Sequence, residues 1–92
     1  MAGPLTLVER TTDGEMASAA QVMIVYAFTL TAGSDAATAV FKNGGSSGTA
    51  RLTLKAPAGE TVVAPMPGGV MFEKGVYVDL TGTSPAASVA YG

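Results

Sequence analysis

The sequence predicts an all-β fold: a small antiparallel β-sandwich, jelly-roll-like, with an N-terminal arm. From Val22 to Tyr91, apolar residues recur with the period of two that half-buried strands require. Turn-forming Gly, Pro, Ser and Asn interrupt these runs roughly every 8–15 residues, a spacing that suits a sandwich or jelly roll better than a parallel α/β sheet. No stretch of useful length carries an amphipathic helical repeat.

Residues 1–21 read as the arm and 22–92 as the β-sandwich domain. Leu5–Val8 predicts one short strand, followed by an irregular polar stretch, Thr11-Thr12-Asp13-Gly14-Glu15. Glu9, Asp13 and Glu15 against Arg10 give this segment the whole net charge of −2, because four acids balance four bases over 22–92. Ala17–Gln21 resembles the start of a helical turn, but the β-branched residues that follow favour a strand.

In Val22–Leu30 the even positions are Val22, Ile24, Tyr26, Phe28 and Leu30, and the odd ones Met23, Val25, Ala27 and Thr29. Both faces are largely apolar, which predicts a central strand or a face that meets another subunit. Thr49–Ala56 alternates most regularly, with Ala50, Leu52, Leu54 and Ala56 on one side and Thr49, Arg51, Thr53 and Lys55 on the other. Val76, Val78 and Leu80 alternate with Tyr77 and Asp79, and Ala87, Val89 and Tyr91 form a last inward set. Turns are expected at Ala32-Gly33-Ser34-Asp35, Asn43-Gly44-Gly45-Ser46-Ser47-Gly48, Pro57-Ala58-Gly59, Pro67-Gly68-Gly69 and Gly82-Thr83-Ser84-Pro85.

Composition narrows the function. A chain of 92 residues holds one domain and buries only about 60–65% of its unfolded surface. With 48% hydrophobic and 13% charged residues, it has few charges to cover that surface, so burial against other chains is expected. Cysteine is absent, which excludes disulfides and thiolate metal sites. Arg10, Lys42, Arg51, Lys55 and Lys74 are scattered, and the net charge is negative, so no nucleic-acid partner is expected. No signal peptide is expected at the N-terminus. Ala19–Ala32 is shorter than the ~20 residues of a membrane span and contains Gln21, Thr29 and Thr31, so no membrane partner is expected either.

The chain has no His, Cys or Trp, so acids are its main acid–base candidates. Asp13 and Glu15 are too few for a calcium site, which takes six to eight oxygens, and read as solvated charges. Asp79 is expected to pair across strands with Arg51 or Lys55. Ser and Lys occur without the spacing of a Ser–Lys catalytic pair. The loop at 43–48 lacks the Lys-Ser/Thr and helix of a phosphate cradle. No catalytic residue, cofactor, metal or small-molecule substrate is expected. Pro65-Met66-Pro67-Gly68-Gly69-Val70-Met71-Phe72 predicts a turn with Phe72 entering the core and Met66 free for an adaptable contact. Tyr26, Tyr77 and Tyr91 read as core or subunit-interface residues more readily than as a sugar-binding face.

Phe41-Lys42-Asn43-Gly44, Gly48–Gly59, Gly69–Thr83 and Ser88-Val89-Ala90-Tyr91 together resemble the small all-β virion proteins of tailed bacteriophages. In that group a strand like Gly75-Val76-Tyr77-Val78 precedes a Thr-Gly turn and a terminal strand closing in Tyr. The likeness covers roughly residues 22–92 and involves no catalytic signature. It implies a capsid cement (decoration) protein on the capsid surface of the virion, commonly a homotrimer, whose partner is the major capsid protein. An extended arm suits such a role because it can add a strand to a neighbour. The candidate interface is Leu5, Leu7, Val8 and Arg10 of the arm, with Met66 and Tyr77. The alternatives are a trimeric receptor-binding or fibre module of a phage, and a small carbohydrate-binding or adhesion sandwich.

Overall fold

The alternating runs pair as one long hairpin rolled onto itself. The computed structural model describes residues 5–16 and 22–92; the helical turn considered over Ala17–Gln21 lies outside the described residues. Eight strands follow one another: β1 (Thr6–Arg10), β2 (Gly14–Met16), β3 (Met23–Thr31), β4 (Ala37–Asn43), β5 (Thr49–Ala56), β6 (Thr61–Phe72), β7 (Val76–Thr81) and β8 (Ala86–Tyr91). Antiparallel ribbons β4·β5, β3·β6, β2·β7 and β1·β8 nest outward from the Gly-rich loop at 44–48. Rolling lays β8 beside β3 and β7 beside β4. The resulting sheets, β1-β8-β3-β6 and β2-β7-β4-β5, have the strand order of a jelly roll. The fold class is as the alternation predicts.

Between the sheets, Phe28 faces Phe41 with ring centroids 4.8 Å apart and Phe72 at 5.9 Å, both pairs tilted by 58°. Tilted contacts suit the ring quadrupoles better than flat stacking. Met16, Met23, Val25, Leu30, Val78 and Val89 fill the remaining space, and no polar or charged side chain is buried among the described residues. An entirely apolar interior leaves no buried polar group to satisfy.

The doubly apolar β3 owes its pattern to a bulge. Its register slips between Val25 and Ala27 against both β6 and β8. Before the slip the odd residues Met23 and Val25 point inward; after it the even residues Phe28 and Leu30 do. One inserted residue, Tyr26, changes the parity. β3 is also a central strand, flanked by β8 and β6, and its inner face packs on the core.

The described part of the expected arm is built into both sheets. β1 pairs with β8 from Thr6↔Tyr91 to Arg10↔Ala87, and β2 pairs with β7 from Gly14↔Val78 to Met16↔Val76. The stretch expected to be irregular thus ends in a strand whose last residue, Met16, is wholly buried. The turn between them is held by Arg10. Its guanidinium donates to the carbonyls of Thr12 (3.1 Å), Asp13 (3.2 Å) and Glu15 (3.2 Å). Beyond the end of β2, the Asp13 carboxylate accepts the Leu80 backbone N–H at 2.6 Å, replacing the missing strand partner.

A candidate interaction face on one sheet

Strand alternation sends every second side chain outward, and the two sheets spend those positions differently. On β1-β8-β3-β6, Leu7, Ala90, Ala27 and Pro65 form one row across the sheet, and Glu9, Ser88, Thr29 and Val63 the next. A third row joins Ala86, Thr31 and Thr61, with the two threonine hydroxyls 2.9 Å apart. At the other end Ile24 pairs with Met71, and the Gly92 N–H donates to the Ile24 carbonyl. Among the described residues the five exposed large hydrophobics are Leu7 (70%), Val22 and Val63 (58% each), Met71 (54%) and Leu5 (44%), and all lie on this face or at its margin. Glu9 is the one charged residue at the outward positions of β1, β8, β3 and β6, Arg10 being turned to the β1–β2 turn. Leu7, Val63 and Met71 stand on the edge strands, while the middle carries small half-buried residues, Ala86, Ser88 and Ala90 on β8 and Ala27 and Thr29 on β3, with the bulkier Ile24 at one end.

The Pro-Met-Pro-Gly-Gly segment shapes one end of this face. It is a bulge within β6, whereas the sequence predicts a turn at Pro67-Gly68-Gly69. Val25 pairs with Val70 and Ala27 with Pro65, so Met66–Gly69 stand opposite the single residue Tyr26. Gly68 and Gly69 have φ of 87° and 83°, which side-chain-bearing residues rarely adopt. At Gly69 a Cβ would come within 2.5 Å of Ile24 Cγ2 and 3.1 Å of the Tyr26 ring, so glycine is needed for space as well as conformation. The true turn into β7 is Glu73-Lys74-Gly75, which the sequence reading did not single out.

The opposite sheet is charged outside. Lys42 of β4 donates to the Asp79 carboxylate of β7 at 2.8 Å and to the Ser46 carbonyl at 3.0 Å. Lys42 is therefore the partner of Asp79, in place of the expected Arg51 or Lys55. β4 lies between β7 and β5, which puts the β5 cations one strand too far away. The Lys42 hydrogen bond holds the Asp79 carboxyl below the usual carboxylate range. Arg51 and Glu73 stand 4.0 Å apart, both well exposed.

Of the predicted interface residues, the structure brings Leu5 and Leu7 together on the apolar face. Val8 turns inward against the core, and Arg10 holds the β1–β2 turn. Met66 also packs on the core, leaving Met71 as the exposed methionine of that segment. Tyr77 lies on the other sheet, between Glu15 and Lys42. Val22, Val63 and Met71 were missed. Val22 belongs to the doubly apolar run Val22–Leu30, whereas Val63 and Met71 lie on β6, where the sequence carries no comparable signal.

The acids stand apart or serve local contacts. Asp13 accepts Leu80 N–H, Asp35 accepts the Thr83 hydroxyl at 2.6 Å, and Asp79 holds Lys42. Among the described residues no group of three or more acids could hold a metal ion, and no helix is long and apolar enough to cross a membrane. Comparison with protein-family models, curated proteins and solved structures finds no match.

Proposed function

We propose that this protein is a non-enzymatic structural protein of a phage particle, a capsid cement protein that lays the outer face of β1-β8-β3-β6 on the major capsid protein. The observation that carries the reading is that the five exposed large hydrophobics among the described residues lie on that one face or at its margin. Exposed apolar side chains concentrated on one face of so small a domain favour a protein–protein contact. The resemblance of residues 22–92 to small virion proteins supplies the class of partner. A homotrimer on the capsid surface follows from the same resemblance. The rigid β framework suits a cement protein, because bridging capsomers through shallow contacts needs little movement of the binding surface.

Co-sedimentation tests this. Purified protein is added to heads that lack it, taken from the phage that carries the gene. Saturable binding that is lost on L7K/M71K supports the reading. No binding to heads, or binding that the double substitution leaves intact, overturns it. A gene neighbourhood of glycan-degrading or transport genes without capsid or portal genes would also contradict it.

A further inference from the structure

A second surface is independent of the apolar face. Each sheet has two edges, and three of the four are short or interrupted. β2 has three residues and β1 five, and β6 is broken by Pro65, Pro67 and its bulge. Proline and bulges are the usual means of protecting an edge from further pairing. β5 is different. It runs for eight residues without proline, pairs only with β4, and makes no further backbone hydrogen bond on its other side among the described residues. Its one irregularity is at Arg51, where the register against β4 slips, and Leu52–Ala56 is regular.

The side chains of β5 state what can pair there. Outward, Arg51 and Lys55 flank Thr53, about 13 Å apart at strand rise, and the strand carries no acid. Lys55 forms no ion pair among the described residues. Inward, Leu52 is only half-buried, so the margin of the core is open beside this strand, while the slip at Arg51 turns Ala50 outward opposite Lys42. A second copy is a poor occupant. Two-fold antiparallel pairing centred on Thr53 sets Arg51 directly opposite Lys55. Moving the centre by one residue leaves each cation diagonal to another, still within reach of long side chains.

We propose that the free edge of β5 accepts an extended acidic segment of a partner protein as a fifth strand of the β2-β7-β4-β5 sheet. Backbone hydrogen bonds give affinity, carboxylates opposite Arg51 and Lys55 select the partner, and apolar side chains cover Leu52 and Leu54. The inference does not depend on the partner being a capsid protein.

The test uses two peptides on isotope-labelled full-length protein, followed by amide NMR shifts. One has the sequence Val-Glu-Val-Thr-Val-Glu-Val, whose glutamates fall opposite Lys55 and Arg51 in antiparallel register. The other replaces both glutamates with lysine. The glutamate peptide should shift the amides of Thr49–Ala56, bind at least ~tenfold more tightly than the lysine peptide, and weaken with added salt. In R51E/K55E the preference should reverse. Three results would overturn the proposal: β5 unmoved by the glutamate peptide, equal binding of both peptides, or shifts centred on the other sheet. An unmoved β5 would mean that the two cations only guard the edge. The two-peptide comparison on the unsubstituted chain decides the matter even if the double variant does not fold.

Discussion

The two sheets share one interior and differ outside. Inside, each contributes large apolar side chains to the same cluster: Phe28, Phe72 and Leu30 from one, Phe41, Val78 and Met16 from the other. Outside, β2-β7-β4-β5 carries Glu15, Lys42, Arg51, Lys55 and Asp79, whereas β1-β8-β3-β6 has Leu5, Leu7, Val63 and Met71 with Glu9 alone. Folding requires the interior pattern and is indifferent to the outer one. A solvated Leu7 or Met71 contributes little to stability, so its presence in a patch points to a contact made after folding.

The largest expected effect tests whether the two sheets close independently of their first strands. Deleting residues 2–15 removes all of β1 and most of β2, one edge strand from each sheet. A division into an arm over 1–21 and a self-contained domain over 22–92 implies that the domain survives this truncation; the pairing of β1 and β2 predicts that it loses cooperative thermal unfolding. A melt within a few degrees of the full chain would show that the edges are dispensable. Met16→Ala alone should cost about 2–5 kcal/mol in denaturant unfolding.

Next come the outer faces themselves. L7K/M71K should leave stability within about 0.5 kcal/mol per site yet weaken partner binding at least ~100-fold, on the order of a small hot-spot cluster. Thr81→Lys, on the exposed outer side of the other sheet, should change neither. Equal effects from the two faces would erase the distinction. A smaller effect separates the two glycines of the β6 bulge. Gly69→Ala should cost about 1–3 kcal/mol from conformation and contact together. Gly68→Ala has similar φ and open space around it, and should cost less.

The smallest effect belongs to the charged sheet. Asp79 has a folded-state pKa below its unfolded one. Its contribution to stability is therefore fully present above the ordinary carboxylate value of ~3.9 and lost as pH falls through the lower folded value. Asp79→Asn should flatten that acid limb and leave the neutral-pH difference between variants constant. An unchanged acid limb would show that the Lys42 contact does not matter for stability. Because the Asp79 side chain is 43% exposed, solvent screening should keep the effect modest.

Strand positions were legible because a period of two survives in the sequence wherever one face meets the core. Thr49–Ala56 was read with its observed bounds, and the inward sets of β7 and β8 were correct. What could not be read depends on distant residues. The parity change in β3 needs Tyr26 to stand opposite Met66–Gly69, about forty positions on, and no local pattern announces it. β2 is three residues long and shows no alternation, so its strand character exists only through β7. Asp79 found Lys42 because rolling the hairpin puts β4 next to β7. The candidate face was half legible. Leu5 and Leu7 were identified, but the positions of Val63 and Met71 beside them required the sheet order.

The most direct test of the central claim is quantitative co-sedimentation with heads lacking the protein, comparing the unsubstituted chain, L7K/M71K and Thr81→Lys. Saturable binding by the first and third, with loss by the second, is the predicted result. Binding by all three alike, or by none, would contradict the assignment of the apolar sheet face as the capsid-contact surface.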